Sequence, residues 1–348
     1  MNSSAPMDET AVHAIAEELV GGHVERCQRV TAGGNSRLFR LEATSGLYAL
    51  KFYRTSRHDP RDRQKTEALA LRFLEERGLR CIPHLLAVNR TRGCSLLEWI
   101  DGQPTDSIGT KEIDQALQWV EVLHSLRRWA EPERLPWASA ACCRGVALEA
   151  QVIKRHARLL PILPSHRELA DFILEYFAPA LKERLACARE IYQKGGLDFI
   201  GELPLSWRTL SSSDFGFHNT LKKSGGDLTF LDFEYFGWDD PVKLTADFLL
   251  HPGMNLAECY PEGRQQFLDG VIQIFKDDPH FPLRTEALFP LIGLTWVLIL
   301  LNEFIPEGWN QRCFADDNRD RTKTQKQQLQ KAQILLNQLQ VNDWKILA

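Results

Sequence analysis

Asp214 and Asn219 flank the loop Phe215-Gly216-Phe217-His218, in an Asp-x-x-x-x-Asn pattern. A second acidic run, Asp232-Phe233-Glu234, follows across a hairpin and leads to Asp239-Asp240-Pro241. Direct in-line phosphoryl transfer calls for this set of groups. One carboxylate orients or deprotonates the acceptor hydroxyl, and a second carboxylate with an amide oxygen holds Mg²⁺ on the phosphates. Asp and Asn also cap turns in every kind of protein, so the spacing and order carry the reading and the residue types alone do not.

Three features nearer the N-terminus fit the same chemistry. Gly33-Gly34-Asn35-Ser36 sits between two strand-like runs, where glycines let backbone N–H groups approach phosphates, although many Gly-Gly hairpins are only turns. Lys51 interrupts the apolar strand Tyr48-Ala49-Leu50-Lys51-Phe52-Tyr53, where an ammonium needs a partner or ligand unless it snorkels from an edge. Glu67, on the helix that follows, can fold back to pair with it. The order Gly loop, strand Lys, helix Glu, Asp-x-x-x-x-Asn, strand Asp is much harder to reach by chance than any one part.

The elements that must position these residues are readable from periodicity. Asp8-Glu9-Thr10 opens an amphipathic helix with Val12, Ile15 and Leu19 on one face, ending at Gly21-Gly22. Strands are expected over 25–31, 38–42, 48–53, 85–88 and 95–100, which make an antiparallel sheet of about five strands. A helix carrying Glu67, Leu69, Phe73 and Leu74 lies among them. From about Asp114 the pattern becomes helical, interrupted by one hairpin that runs from Thr220, turns at Ser224-Gly225-Gly226-Asp227 and returns over Leu228–Phe233. The sequence therefore divides at Asp101: 1–101 as a small sheet-bearing lobe, 102–348 as a mainly helical one. Leu329, Ala332, Leu336 and Leu339 mark a Gln-rich amphipathic C-terminal helix that is expected to dock on its own chain, giving a monomer rather than a homodimer.

Composition agrees with a two-lobed globular chain. The 348 residues are 44% hydrophobic and 25% charged, which excludes disordered and fibrous classes. A net charge of -4 removes the long-range attraction on which non-specific nucleic-acid binding depends, so nucleic acid is not an expected partner. The eight cysteines are scattered without a Cys-x-x-Cys pair, as expected for free thiols in a reducing compartment, and no secretory signal precedes them; a cytoplasmic protein is expected. The apolar run Ala287–Leu301 contains Pro290 and is shorter than a membrane span of roughly 20 residues, so a buried core helix is expected and no membrane.

Taken together, these residues resemble the kinase-like phosphotransferases of the aminoglycoside phosphotransferase and choline kinase type. The resemblance runs from Gly33 to about Trp296 and is strongest over Asp214–Pro241. It implies a two-lobed α+β protein-kinase-like fold and an ATP- and Mg²⁺-dependent phosphotransferase acting on a hydroxyl of a small molecule, of the amino sugar, aminoglycoside or aminoalcohol class. Asp214 would be the catalytic base, and Asn219 and Asp232 the metal ligands. Lys51 would contact the α- and β-phosphates with Glu67 positioning it, and Gly33, Gly34, Asn35 and Ser36 would lie along the phosphates. Backbone groups of Glu98 and Ile100 would hydrogen-bond adenine.

Two positions depart from the family's pattern. Ser212 stands where a histidine usually precedes the catalytic Asp by two residues; a serine can hydrogen-bond the loop but cannot carry charge. Leu244 stands where an Asp is usual, with Asp247 further on. Ser212 keeps a second reading open, a nucleotide-binding but catalytically silent regulator. Acidic residues at Glu234, Asp239, Asp240, Glu258 and Glu262 would suit an amine-bearing acceptor, and Trp99, Trp207 and Trp238 could stack on a sugar ring.

Overall fold

The computed structural model describes residues 9–30, 36–54, 61–131, 133–254, 256, 260–309 and 320–341. In chain order the main elements are α1 (Glu9–Val20), β1 (Val24–Val30), β2 (Ser36–Ala43), β3 (Gly46–Tyr53), α2 (Arg63–Glu75), β4 (Leu85–Asn89), β5 (Cys94–Glu98) and β6 (Gln103–Pro104). Then come α3 (Thr110–Leu126), α4 (Gly145–Leu159), α5 (Arg167–Asp171), α6 (Ala178–Lys194), β7 (Thr209–Ser211), β8 (Thr220–Lys222), β9 (Leu228–Phe230) and β10 (Gly237–Asp239). The chain finishes with α7 (Pro241–Leu250), α8 (Pro261–Ile274), α9 (Phe281–Leu300) and α10 (Arg321–Val341).

Two compact units result. The first contains the described residues up to Thr105 together with Asn219–Phe236. Its sheet is antiparallel in the order β1-β2-β3-β5-β4, so β3 is central and Lys51 lies opposite Leu38 on one side and Ser95 on the other. Val12, Ile15 and Ala16 of α1 pack with Phe39, Leu41, Leu50 and Phe52 into one buried cluster, each large side chain contributing roughly 1.5–3 kcal/mol of burial. α2 starts where the Asp62 carboxylate accepts the Lys65 N–H at 3.0 Å, an N-cap that fixes the face on which Glu67 appears.

The sheet-bearing unit also takes in the β8–β9 hairpin, which the division at Asp101 assigns to the helical half. The hairpin is tied to the unit by β6 pairing with β8 and by the Phe230 N–H donating to the Cys81 carbonyl at 2.8 Å. Gly226 makes its turn at φ +84°. Gly102 passes so close to Leu221 Cβ and the Lys222 carbonyl that a Cβ there would crowd both.

The second unit is mainly helical. β7 and β10 form a short antiparallel ribbon with Thr209 opposite Asp239 and Ser211 opposite Gly237. Asp240 caps α7 by accepting the Val242 N–H at 2.8 Å, with Pro241 in the first turn. α3 begins at Thr110, four residues before the apolar periodicity suggests, because Glu112 reaches back to accept the Gly109 N–H at 3.0 Å. The apolar run at Ala287 belongs to a longer helical segment, Phe281–Phe304. That segment is long and apolar enough to cross a membrane, yet 83% of its most apolar stretch is buried inside the protein.

Candidate active site

The first unit holds the residues expected to meet the phosphates and the metal. Lys51 Nζ lies 2.7 Å from Glu67 Oε2, 2.8 Å from Asp232 Oδ1 and 3.7 Å from Glu234 Oε2. Lys51, Glu67 and Glu234 are buried, whereas the Asp232 side chain keeps 27% of its surface exposed. Burial opposes the ammonium charge, but the carboxylates of Asp232, Glu67 and Glu234 overcome it and hold the Lys51 pKa well above its usual value. Glu67 has a second task, since its Oε1 accepts the Phe233 N–H at 3.0 Å. One helix residue thus fixes both the lysine and the backbone beside Asp232.

Glu234 is the member that the sequence motif alone did not place. Its carboxylate faces Lys51 and, at 3.3 Å, Arg63 Nη1. Burial, with the Asp232 charge adding to it, pushes its pKa up to about 7 against the pull of Lys51 and Arg63. Asp232 adopts φ +63°, a left-handed conformation that costs a non-glycine residue about 1–2 kcal/mol and aims the carboxylate at Lys51. The Leu231 N–H donates to the Asn219 carbonyl at 2.9 Å, which sets the two expected metal ligands on adjoining backbone. A carboxylate that is partly exposed and a neutral amide are hard oxygen donors of the kind Mg²⁺ takes, so the residues fit that ion.

The other residues expected to meet a nucleotide divide. Ser36 opens β2 opposite Tyr53, while Gly33, Gly34 and Asn35 lie outside the described residues. β5 ends at Glu98 rather than running on to Ile100, because the chain leaves the ladder there. The Glu98 N–H is donated to the His84 carbonyl at 2.9 Å. Among the described residues no backbone partner engages Ile100, which is buried.

The second unit holds Asp214. It follows Ser213, which adopts φ +64°, and its own N–H donates to the Ser212 carbonyl at 2.8 Å. The loop is fixed by the neighbours of Ser212. Ser211 Oγ accepts the Ser213 N–H at 2.9 Å, and Ser213 Oγ donates to the Ser139 carbonyl at 3.0 Å. Among the described residues the Ser212 hydroxyl has no partner, so the expected brace from this residue is absent. Asp214 Oδ1 instead lies 3.0 Å from His218 Nε2 and 3.4 Å from His251 Nε2. His218 lay within the sequence motif without a role assigned to it. His251, at the C-terminal end of α7, gave no signal in the sequence.

The acidic residues expected to greet an amine are committed elsewhere. Asp239 pairs with Lys243 at 3.1 Å, Asp240 with Arg284 at 2.6 Å, and Glu234 with Lys51 and Arg63; all three are buried. Burial, offset by Lys243 and reinforced by Asp247, raises the Asp239 pKa to about 6. Glu258 lies outside the described residues, and Glu262 is exposed on the first turn of α8. Trp238 is buried and its backbone bridges to Trp137, Trp207 packs edge-on to His280, and Arg40 lies over the ring of Trp99.

No family model and no curated protein sequence matches the chain. Solved structures do. A spectinomycin phosphotransferase, APH(9)-Ia, in complex with ADP and spectinomycin is similar over 97% of this chain and 99% of its own, with a TM-score of 0.61 at 11% identity. The aminoglycoside phosphotransferase APH(2")-IIa in its gentamicin complex matches 99% of this chain and 100% of its own, with a TM-score of 0.59 at 16% identity. The choline kinase LicA from Streptococcus pneumoniae matches 95% and 99%, with a TM-score of 0.57 at 14% identity. The chain therefore has the two-lobed kinase-like α+β fold that these phosphotransferases share, the fold its sequence motifs resemble.

Proposed function

We propose that the chain transfers the γ-phosphoryl group of ATP to a hydroxyl of a small molecule of the amino sugar, aminoglycoside or aminoalcohol class. The observation that carries this reading is Lys51, held by Glu67 and Asp232 through 2.7 and 2.8 Å contacts on the central strand of the sheet. A buried ammonium already balanced by carboxylates is an arrangement that phosphate oxygens can enter in place of Asp232 Oδ1. Asp232 and Asn219 would hold Mg²⁺, which supplies charge neutralisation on the phosphates. Ile100 N–H and the Glu98 carbonyl would take the adenine edge.

Asp214 accepts the proton of the acceptor hydroxyl as its oxygen attacks the γ-phosphorus; the bond from that phosphorus to the β-bridging oxygen breaks, and ADP leaves. The chain's part is positioning and charge stabilisation rather than covalent catalysis. The acceptor class rests on what the similar solved proteins bind, since the acidic side chains that could have read an amine are paired internally. The six described cysteines are free thiols, which suits a cytoplasmic setting.

The test is release of ADP by the purified protein with Mg²⁺-ATP against spectinomycin, gentamicin, choline and ethanolamine, beside Asp214→Ala. Acceptor-dependent release that the substitution abolishes is expected. A folded protein that binds Mg²⁺-ATP and shows no release with any acceptor favours the silent regulator.

A further inference from the structure

The surroundings of Asp214 are more elaborate than a base alone needs. The rings of His218 and His251 stack face to face, with centroids 3.7 Å apart and planes 5° from parallel, and both present Nε2 to Asp214 Oδ1. Their protonation follows from their partners. The Gly253 N–H donates to His251 Nδ1 at 3.1 Å, so that nitrogen carries no proton and the ring's proton sits on Nε2. A carboxylate only accepts, so His218 also meets Asp214 through an Nε2–H.

His251 is held from its other side. It stands edge-to-face on Trp296 at 4.8 Å, and Trp296 Nε1–H donates to Asp247 Oδ1 at 2.9 Å. Asp247 Oδ2 accepts from Lys243 Nζ at 2.7 Å, and Lys243 donates to Asp239 Oδ2 at 3.1 Å. Asp239 lies in β10 opposite Thr209, on the strand that runs on toward Asp214. The chain of contacts thus ends on the ribbon whose β7 strand leads toward Asp214.

By distance the three ligand atoms, all within 4.8 Å of one another, could also enclose a metal ion. The contacts there are a hydrogen bond from His218 and a longer approach from His251, both to one oxygen of the carboxylate.

We propose that His218 and His251 are positioning residues that fix the Asp214 carboxylate, His218 by donating its Nε2–H and His251 by stacking on His218 with its own Nε2–H turned to the same oxygen, in place of a side-chain brace from Ser212. This rests on the reading of Asp214 as the acceptor base. Losing one donor lets the carboxylate rotate, so turnover falls on the order of 10–100-fold while nucleotide binding is untouched.

Two substitutions separate the donor from the turn it belongs to. His251→Gln keeps an N–H donor near the position of Nε2, and His251→Asn keeps only an acceptor for the Gly253 N–H. With an acceptor that supports ADP release, His251→Gln is expected to retain most of kcat, and His251→Asn to lose about 10–100-fold in kcat with KM for ATP unchanged. Long-range proton–nitrogen NMR of the histidines gives a readout that needs no acceptor. His251 should show an unprotonated Nδ1 and a protonated Nε2, and Asp214→Asn should move the Nε2 signals of His218 and His251 beyond those of the other histidines. A protonated His251 Nδ1, or His251→Asn with wild-type kcat, overturns the brace. If Asp214→Ala itself turns over normally, the proposed function fails; if Asp214→Ala is inactive and His251→Asn is not, the brace alone fails.

Discussion

Lys51 and Asp232 are 181 residues apart in sequence, and the Nζ of one lies 2.8 Å from Oδ1 of the other. The contact gathers β3, α2 and the turn after β9 around one buried ammonium. Its energetics are those of a buried ion cluster, in which removing one member costs more than the cluster contributes over an apolar replacement. Lys51→Met leaves the buried Glu67 and its neighbour Asp232 without their counter-charge, and Glu234 with Arg63 alone. A loss of about 3–5 kcal/mol in urea unfolding is expected, together with loss of Mg²⁺-ATP affinity. Unchanged stability would show that water or a proton already balances these carboxylates.

Asp214 and Asp232 should separate cleanly by calorimetry. Asp232→Ala removes the exposed carboxylate beside Lys51, and both Mg²⁺-dependent nucleotide affinity and turnover should collapse. Asp214→Ala should bind Mg²⁺-ATP as the parent does while transfer falls about 10²–10⁴-fold, the loss expected for a general base. Nucleotide binding lost in a folded Asp214→Ala protein would contradict the division of roles.

The loop serines give a finer test. Ser211→Ala removes the acceptor of the Ser213 N–H and should cost about 1 kcal/mol, with Ser213 at φ +64° losing its local support. Ser212→Ala should change stability by less than about 0.5 kcal/mol, because no partner among the described residues is lost. Equal effects of the two substitutions would mean that the Ser212 hydroxyl is engaged in solution.

What the sequence disclosed, and what it hid, follows from the range of the interactions. β3, the hairpin and the order of the charged residues were legible because strand alternation and the Asp-x-x-x-x-Asn spacing are local patterns. The partners of Glu234, Asp239 and Asp240 were not. Each looked like an acid open to an acceptor amine, and each is buried on a cation: Lys243 lies only four residues from Asp239, but Arg63 and Arg284 are brought near by tertiary structure alone. Arg284 is 44 residues from Asp240. His251 was hidden for the same reason, since nothing in the sequence at the end of α7 points to Asp214. Ser212 misled in the opposite direction: its place in the motif suggested a brace that its two neighbours supply.

His124 should make the helical unit sensitive to acid. It is buried on α3, edge-to-face with Phe275 at 4.8 Å, and burial, with Arg127 adding to it, lowers its pKa to about 4. Between pH 4 and the unfolded value of 6.5 the unfolded chain binds a proton that the folded chain refuses, so stability is full above 6.5 and is lost as pH falls toward 4. The loss amounts to about 2–3 kcal/mol. Thermal melts of the parent and His124→Phe across pH 4–7 check this, with the variant expected to show the shallower slope. Parallel slopes would assign the acid sensitivity to other groups.

The C-terminal helix provides the last prediction. Leu329, Ala332, Leu335, Leu336 and Leu339 of α10 are all buried, and Leu339 sits close enough to Gly293 of α9 that a side chain there would collide with it. The apolar face of α10 is therefore consumed within its own chain, and Leu336→Ala, at a position 1% exposed, should cost about 2–5 kcal/mol. Ending the chain at Asp320 uncovers the apolar α9 surface around Gly293. The shortened protein should aggregate or melt at a lower temperature, while the intact chain sediments as a monomer. A truncated chain that sediments as a folded monomer, released from a dimer of the intact protein, would assign this face to a partner subunit instead.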